Sequence, residues 1–120
     1  MSTRSVAFDL VRVRPAPIVA DQPRVIITRW RIYQCCDGER YLAGIIAQTD
    51  RLRVTTAVTQ VIAAYRIVVT ASGRLYELNG PPADCDAIQM VAMTHLAGSG
   101  RMILHDSSGS VWHSIEQLSR

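Results

Sequence analysis

Lysine is absent from this 120-residue chain: all thirteen basic residues are arginine, set against ten acids for a formal net charge of +3. The skew reads more simply as the codon usage of a GC-rich genome than as chemistry, although the planar arginine fork also suits phosphate and carboxylate. Phenylalanine occurs once, and aromatics make up 6% of the chain. That is too few for the aromatic-rich strands on which single-strand nucleic-acid binders stack bases. Cysteine is scarce as well. Cys35, Cys36 and Cys85 form an odd set with two neighbours, which no simple disulfide framework uses, so reduced thiols in a cytoplasm are expected. No stretch approaches the roughly 18 uninterrupted apolar residues of a membrane span, so no membrane partner is expected.

What is present is an apolar fraction of 48% with 19% charged residues, outside the composition of disordered chains and enough for one core. A single domain over residues 1–120 is expected. The N-terminus shows no continuous apolar segment followed by a small-residue cleavage site, in keeping with a cytoplasmic location. Charge is uneven: residues 1–66 carry ten arginines against five acids, net +5, and residues 67–120 carry three against five, net −2. A basic half favours anionic partners through its long-range field.

Alternation of apolar and polar residues marks most of the chain as strand. Val6, Phe8 and Leu10 open a first strand over 6–14, and Pro15, Pro17 and Pro23 make 15–23 an extended connection. Asp37-Gly38 between two strand-like runs suits a two-residue type I′ turn and makes 24–48 a hairpin. In that register Tyr33 faces Leu42 and Trp30 faces Ile45. One face then gathers Ile26, Trp30, Ile32, Ala43 and Ile45, and the other gathers Arg29, Arg31, Tyr33, Leu42, Gly44 and Ile46. Ser72-Gly73 predicts a second tight hairpin, with Ile67 facing Leu78 and Val69 facing Tyr76. Arg66 falls on the opposite face. Residues 52–61 alternate in the same way, and 101–105 read as a further strand.

Asn79, Gly80, Pro81 and Pro82 end the sheet, and Asp84 is placed to cap a helix over 85–97 that stops at Gly98. The helix is apolar over more than one stripe and is expected to lie deep. Val111, Trp112, Ile115 and Leu118 have helical spacing, so the C-terminus reads as a short helix in preference to a strand. The resulting fold class is α+β: an antiparallel meander sheet of five or six strands packed against one main helix, with a short C-terminal element.

Catalytic and metal-binding patterns are weak. His95, His105 and His113 show no pair spacing that presents two metal ligands from one turn or helix face, and no metal or other cofactor is expected. Cys85 would sit in the first turn of a helix, whose dipole lowers a thiol pKa, but Asp84 and Asp86 oppose that effect and a structural thiol is the better reading. Gly98-Ser99-Gly100 follows a helix rather than preceding one, so it reads as a cap and not a phosphate loop. Ser107-Ser108-Gly109-Ser110 lacks a following lysine and reads as a turn.

The most informative feature is a band of Arg29, Arg31 and Tyr33 on one strand, Arg51 and Arg53 opening another, and Arg66 and Arg74 on the second hairpin. Alternate positions share a sheet face, so these side chains are candidates for a binding surface. The expectation is a small, non-enzymatic, bacterial accessory protein that binds a protein with an acidic surface through that face or through an exposed edge. The alternatives are nucleic-acid backbone binding by the same face, a phage or mobile-element inhibitor of a nucleic-acid-handling complex, and a small enzyme with a Cys/His site. A homodimer through a sheet edge is compatible with all of them.

Overall fold

The computed structural model describes residues 16–84 and 86–118. The strand expected over 6–14 and the thiol Cys85 lie outside the described residues. Among these residues six strands run in the order β1 (Arg24–Cys35), β2 (Arg40–Ile46), β3 (Arg51–Ile62), β4 (Ile67–Thr70), β5 (Leu75–Asn79) and β6 (Ile103–Asp106). A 3-10 turn, Ala63–Tyr65, links β3 to β4, and the helices are α1 (Asp86–Ala97) and α2 (Ser108–Leu118).

The first five strands form a meander, but they do not make an open antiparallel sheet on one helix. β1 pairs with β2 on one side and with β5 on the other, closing a five-stranded barrel. In a meander each strand reverses the one before it, so the first and fifth run in the same direction. Closing an odd number therefore requires one parallel pair, here Arg24↔Leu75 through Thr28↔Asn79. Irregular pairing bends the two twelve-residue strands around the barrel. β1 shifts register between Thr28 and Arg31, where Arg29 takes a left-handed φ of 49°, and β3 shifts opposite Tyr41/Ala43 and again between Val58 and Gln60. Such bulges bend a strand and raise its twist.

Both hairpin registers lie one residue from the expected alignment. Tyr33 pairs with Tyr41 and Ile32 with Leu42; Val68 pairs with Tyr76 and Ile67 with Glu77. The cause is the same at both turns. Gly38 (φ 84°) and Gly73 (φ 90°) are the third residues of three-residue loops, with Gly38 N–H donating to the Cys35 carbonyl and Gly73 N–H to the Thr70 carbonyl. A type I turn followed by a left-handed glycine makes a hairpin one residue longer than a type I′ loop. The slip changes which side chains meet: Tyr76 and Leu78 share the interior with Val68, not with Ile67 and Val69.

Two apolar layers result. Inside the barrel lie Ile27, Trp30, Ile32, Leu42, Ile46, Val58, Val68, Tyr76 and Leu78, closed at one end by Val111 and Ile115 of α2. Trp30 meets Trp112 edge-to-face with centroids 6.4 Å apart and donates its indole N–H to the Gly80 carbonyl at 2.9 Å. Ser108 anchors the start of α2, its Oγ accepting from Ile32 N–H at 2.8 Å. The second layer lies outside the barrel, where Ile88, Ala92 and Leu96 of α1 cover Tyr33, Cys35, Tyr41, Ala43 and Val54. No helix among the described residues is long and apolar enough to cross a membrane.

Candidate functional site

The barrel does not gather the arginine band onto one face. Arg29, Arg51 and Arg66 are exposed, but Arg29 sits in the β1 bulge and Arg66 leaves the strands altogether, occupying the left-handed residue after the 3-10 turn with φ 57°. Arg31 is half-buried. It pairs with the Asp106 carboxylate and donates to the Ala83 carbonyl, so it fastens β1 to β6 and to the loop before α1. Burial works against its charge, and the Asp106 carboxylate more than offsets this, leaving the guanidinium pKa raised. Tyr33 is 2% exposed beneath α1 and offers no ring for a base to stack on.

Arg53 and Arg74 come together at the barrel end opposite α2. They are 7% and 3% exposed. Arg53 Nη1 donates to Gln22 Oε1 at 3.0 Å, Arg74 Nε donates to the Gln22 carbonyl at 2.7 Å, and Arg74 Nη2 donates to the Pro17 carbonyl. One residue thus bridges both guanidiniums, and residues 17–22 lie across them as a strap. Beside the strap is a pocket of about 440 Å³ whose lining includes Arg53, Arg74, Thr56, Ser72, His95 and Ile18. Burial, with Arg101 as a second cause, holds the His95 imidazole below the usual histidine pKa. Among the described residues, no acidic side chain lines this pocket. Among the described residues, neither arginine has a carboxylate within ion-pair distance.

A second polar cluster locks the tip of the first hairpin. Asp37 Oδ2 accepts from the Tyr41 hydroxyl at 2.7 Å and from Arg101 Nε at 3.1 Å, while Oδ1 accepts from Glu39 N–H. The Arg101 guanidinium lies 5.1 Å from the centre of the Tyr41 ring. Hydrogen bonds from Tyr41 and Glu39, with Arg101 beside them, lower the Asp37 pKa. The same contacts tie the turn to residues 99–102, where Cys36 N–H also donates to the Met102 carbonyl at 2.8 Å. Cys35 is buried and Cys36 exposed; burial raises the Cys35 thiol pKa, with Asp37 and Cys36 adding to the shift. Among the described residues, no three His, Cys, Asp or Glu side chains stand close enough to hold a metal.

An apolar strip runs along α1 and into β6. The helix buries one stripe, Ile88, Val91, Ala92 and Leu96, and does not lie as deep as its composition suggests. Met90 and Met93, together with Met102 and Leu104, are half or more exposed. Met93, Met102 and Ile103 line one recess. Within the barrel each strand is flanked on both sides, whereas β6, among the described residues, pairs with β1 alone.

No protein-family model matches this chain, and no significant match is found among curated proteins or solved structures. Sequence reasoning missed Gln22 and the strap, because a proline-rich connection carries no sign of what it will cover. It also passed over Met90 and Met93, whose signal was present: a helix apolar on two stripes has a second face to satisfy.

Proposed function

We propose that this chain is a small, non-catalytic accessory protein of bacterial origin that acts in the cytoplasm by binding another protein. The docking surface in this reading is the open edge of β6 with the methionine-bearing strip beside it, in place of the dispersed arginines. The observation that carries it is the single-sided pairing of β6 among the described residues, beside the recess of Met93 and Met102 and with Leu104 exposed on the strand itself. An unpaired strand edge offers main-chain donors and acceptors to an incoming extended segment, and flanking side chains supply selectivity. Methionine is flexible and polarizable and adapts to irregular partner surfaces. The partner would contribute an apolar, extended segment rather than an acidic patch.

The test pairs Leu104→Arg and Met93→Asp with Arg29→Ala/Arg51→Ala. Capture of a partner should be lost with the first two at unchanged thermal stability and retained with the arginine variant. Loss only with the arginine variant, together with binding that weakens steeply as salt rises, would replace this reading with nucleic-acid backbone binding. Sedimentation of the purified chain identifies the occupant: a dimer that Leu104→Arg dissociates makes it a second copy, and a monomer makes it a different protein.

A further inference from the structure

The Arg53/Arg74 pocket is separate from the β6 edge and raises a different question. Among the described residues, two buried guanidiniums are held by three neutral acceptors, the Pro17 and Gln22 carbonyls and the Gln22 amide oxygen. Carbonyl dipoles orient a guanidinium but do not neutralise it, and burying unpaired charge is costly. A guanidinium carries five donor hydrogens. Among the described residues, Arg53 donates from Nη1 and Arg74 from Nε and Nη2, which leaves Arg53 Nε and Nη2 and Arg74 Nη1 for the pocket. No buried side-chain nitrogen or oxygen lacks a partner among the described residues, so these nitrogens reach accessible surface rather than being sealed in the core.

The rest of the lining points the same way. Thr56, Ser72 and His95 also line the pocket. Thr56 Oγ1 accepts from Ser72 N–H at 3.2 Å, leaving its own hydrogen to donate. Ile18, Val19 and Val54 supply an apolar side. A planar carboxylate is matched by one coplanar arginine fork. Here the donors come from separate elements, Arg53 from β3 and Arg74 from the turn before β5. Two separate guanidiniums suit the several oxygens of a tetrahedral anion better than a single planar carboxylate. At about 440 Å³, the pocket lies in the size range of small-molecule sites, roughly 300–1,000 Å³.

The geometry points to a binding site for a small phosphate-bearing molecule between the 17–22 strap and the start of β3, with Arg53 and Arg74 holding the phosphate and Ile18, Val19 and Val54 facing its organic part. Gln22 is a positioning residue, since it holds both guanidiniums in place.

The experiment measures the thermal midpoint of the full chain at fixed ionic strength while chloride is exchanged for inorganic phosphate, glycerol phosphate or acetate. Phosphate and glycerol phosphate should raise the midpoint saturably, glycerol phosphate at the lower concentration, and acetate should match chloride. Identical midpoints in all four salts would overturn the site, and an acetate effect equal to that of phosphate would overturn its assignment to a tetrahedral anion. Phosphate alone acting, with glycerol phosphate without effect, would overturn the organic half of the ligand. These comparisons use the unaltered chain and so do not depend on any variant folding. Arg53→Met should weaken the phosphate affinity roughly tenfold or more, the loss expected for a charge-assisted hydrogen bond. Arg51→Ala, an exposed arginine on the same strand, should leave it unchanged, and an equal loss in the two variants would reduce the effect to general cationic attraction.

Discussion

At one end of the barrel α2 sets Val111 and Ile115 onto Trp30; at the other, residues 17–22 lie across Arg53 and Arg74. Both ends of the same five strands are closed, by opposite chemistry. The α2 end removes apolar area from water and fills its space with side chains in contact, so truncation there leaves a cavity. The strap end relies on hydrogen bonds to charged groups, whose strength is largely offset by desolvation, and it retains a pocket. Stability is therefore concentrated at one end, and room for a ligand at the other.

The sharpest way to break that contrast is Trp30→Ala. It removes the largest interior side chain, its contact with Trp112 and its hydrogen bond to Gly80, and should cost about 3–5 kcal/mol in chemical denaturation; a loss below about 1 kcal/mol would mean α2 does not seal the barrel. Ile115→Ala, fully buried in the same cap, should cost about 2–4 kcal/mol. Arg74→Met probes the other end: global stability should change by less than about 1.5 kcal/mol, while amide exchange and proteolysis speed up across residues 17–22. A loss as large as that of Ile115→Ala would place equal weight on the two closures.

The smallest effect concerns the Arg31–Asp106 ion pair at the start of α2. Burial pushes the Asp106 pKa up, but Ser108 and Arg31 outweigh it and hold the carboxyl below its ordinary value of 3.8. A carboxylate with a lowered folded pKa contributes stability above its unfolded pKa and loses it as pH falls through the folded value. Acid should therefore loosen the Arg31–Asp106 tie only below about pH 4, and Asp106→Asn should flatten that part of the stability profile by a small amount, because the pair is partly exposed. An unchanged acid limb would show that the pair adds nothing.

The elements were largely legible in the sequence, because turn glycines and apolar periodicity are local signals: both hairpins, the helix over 86–97 and the C-terminal helix stand close to where the residues place them. Register was not. Asp-Gly and Ser-Gly fit a two-residue and a three-residue loop alike, and the choice depends on how the flanking strands coil. Arg29 shows the same limit, since a bulge reverses alternation from that point on, bringing Ile27 and Trp30 to one side. Closure was hidden for another reason: the parallel pairing of β1 with β5 joins residues with no local mark of each other. Arg53 and Arg74 read as surface charges because nothing in their neighbourhood announces the strap.

That parallel pairing also orders events during synthesis. Arg24 and Leu75 are partners across 51 positions, so a chain leaving the ribosome can form the β1–β2 and β2–β3 hairpins at once, while the near edge of β1 waits for β5. Contacts of such long range are slow because loop closure precedes any reward. In that interval the nascent meander exposes two open flanks, β1 and β3, and it is then that chaperone engagement or misassembly between neighbouring polysomes would act.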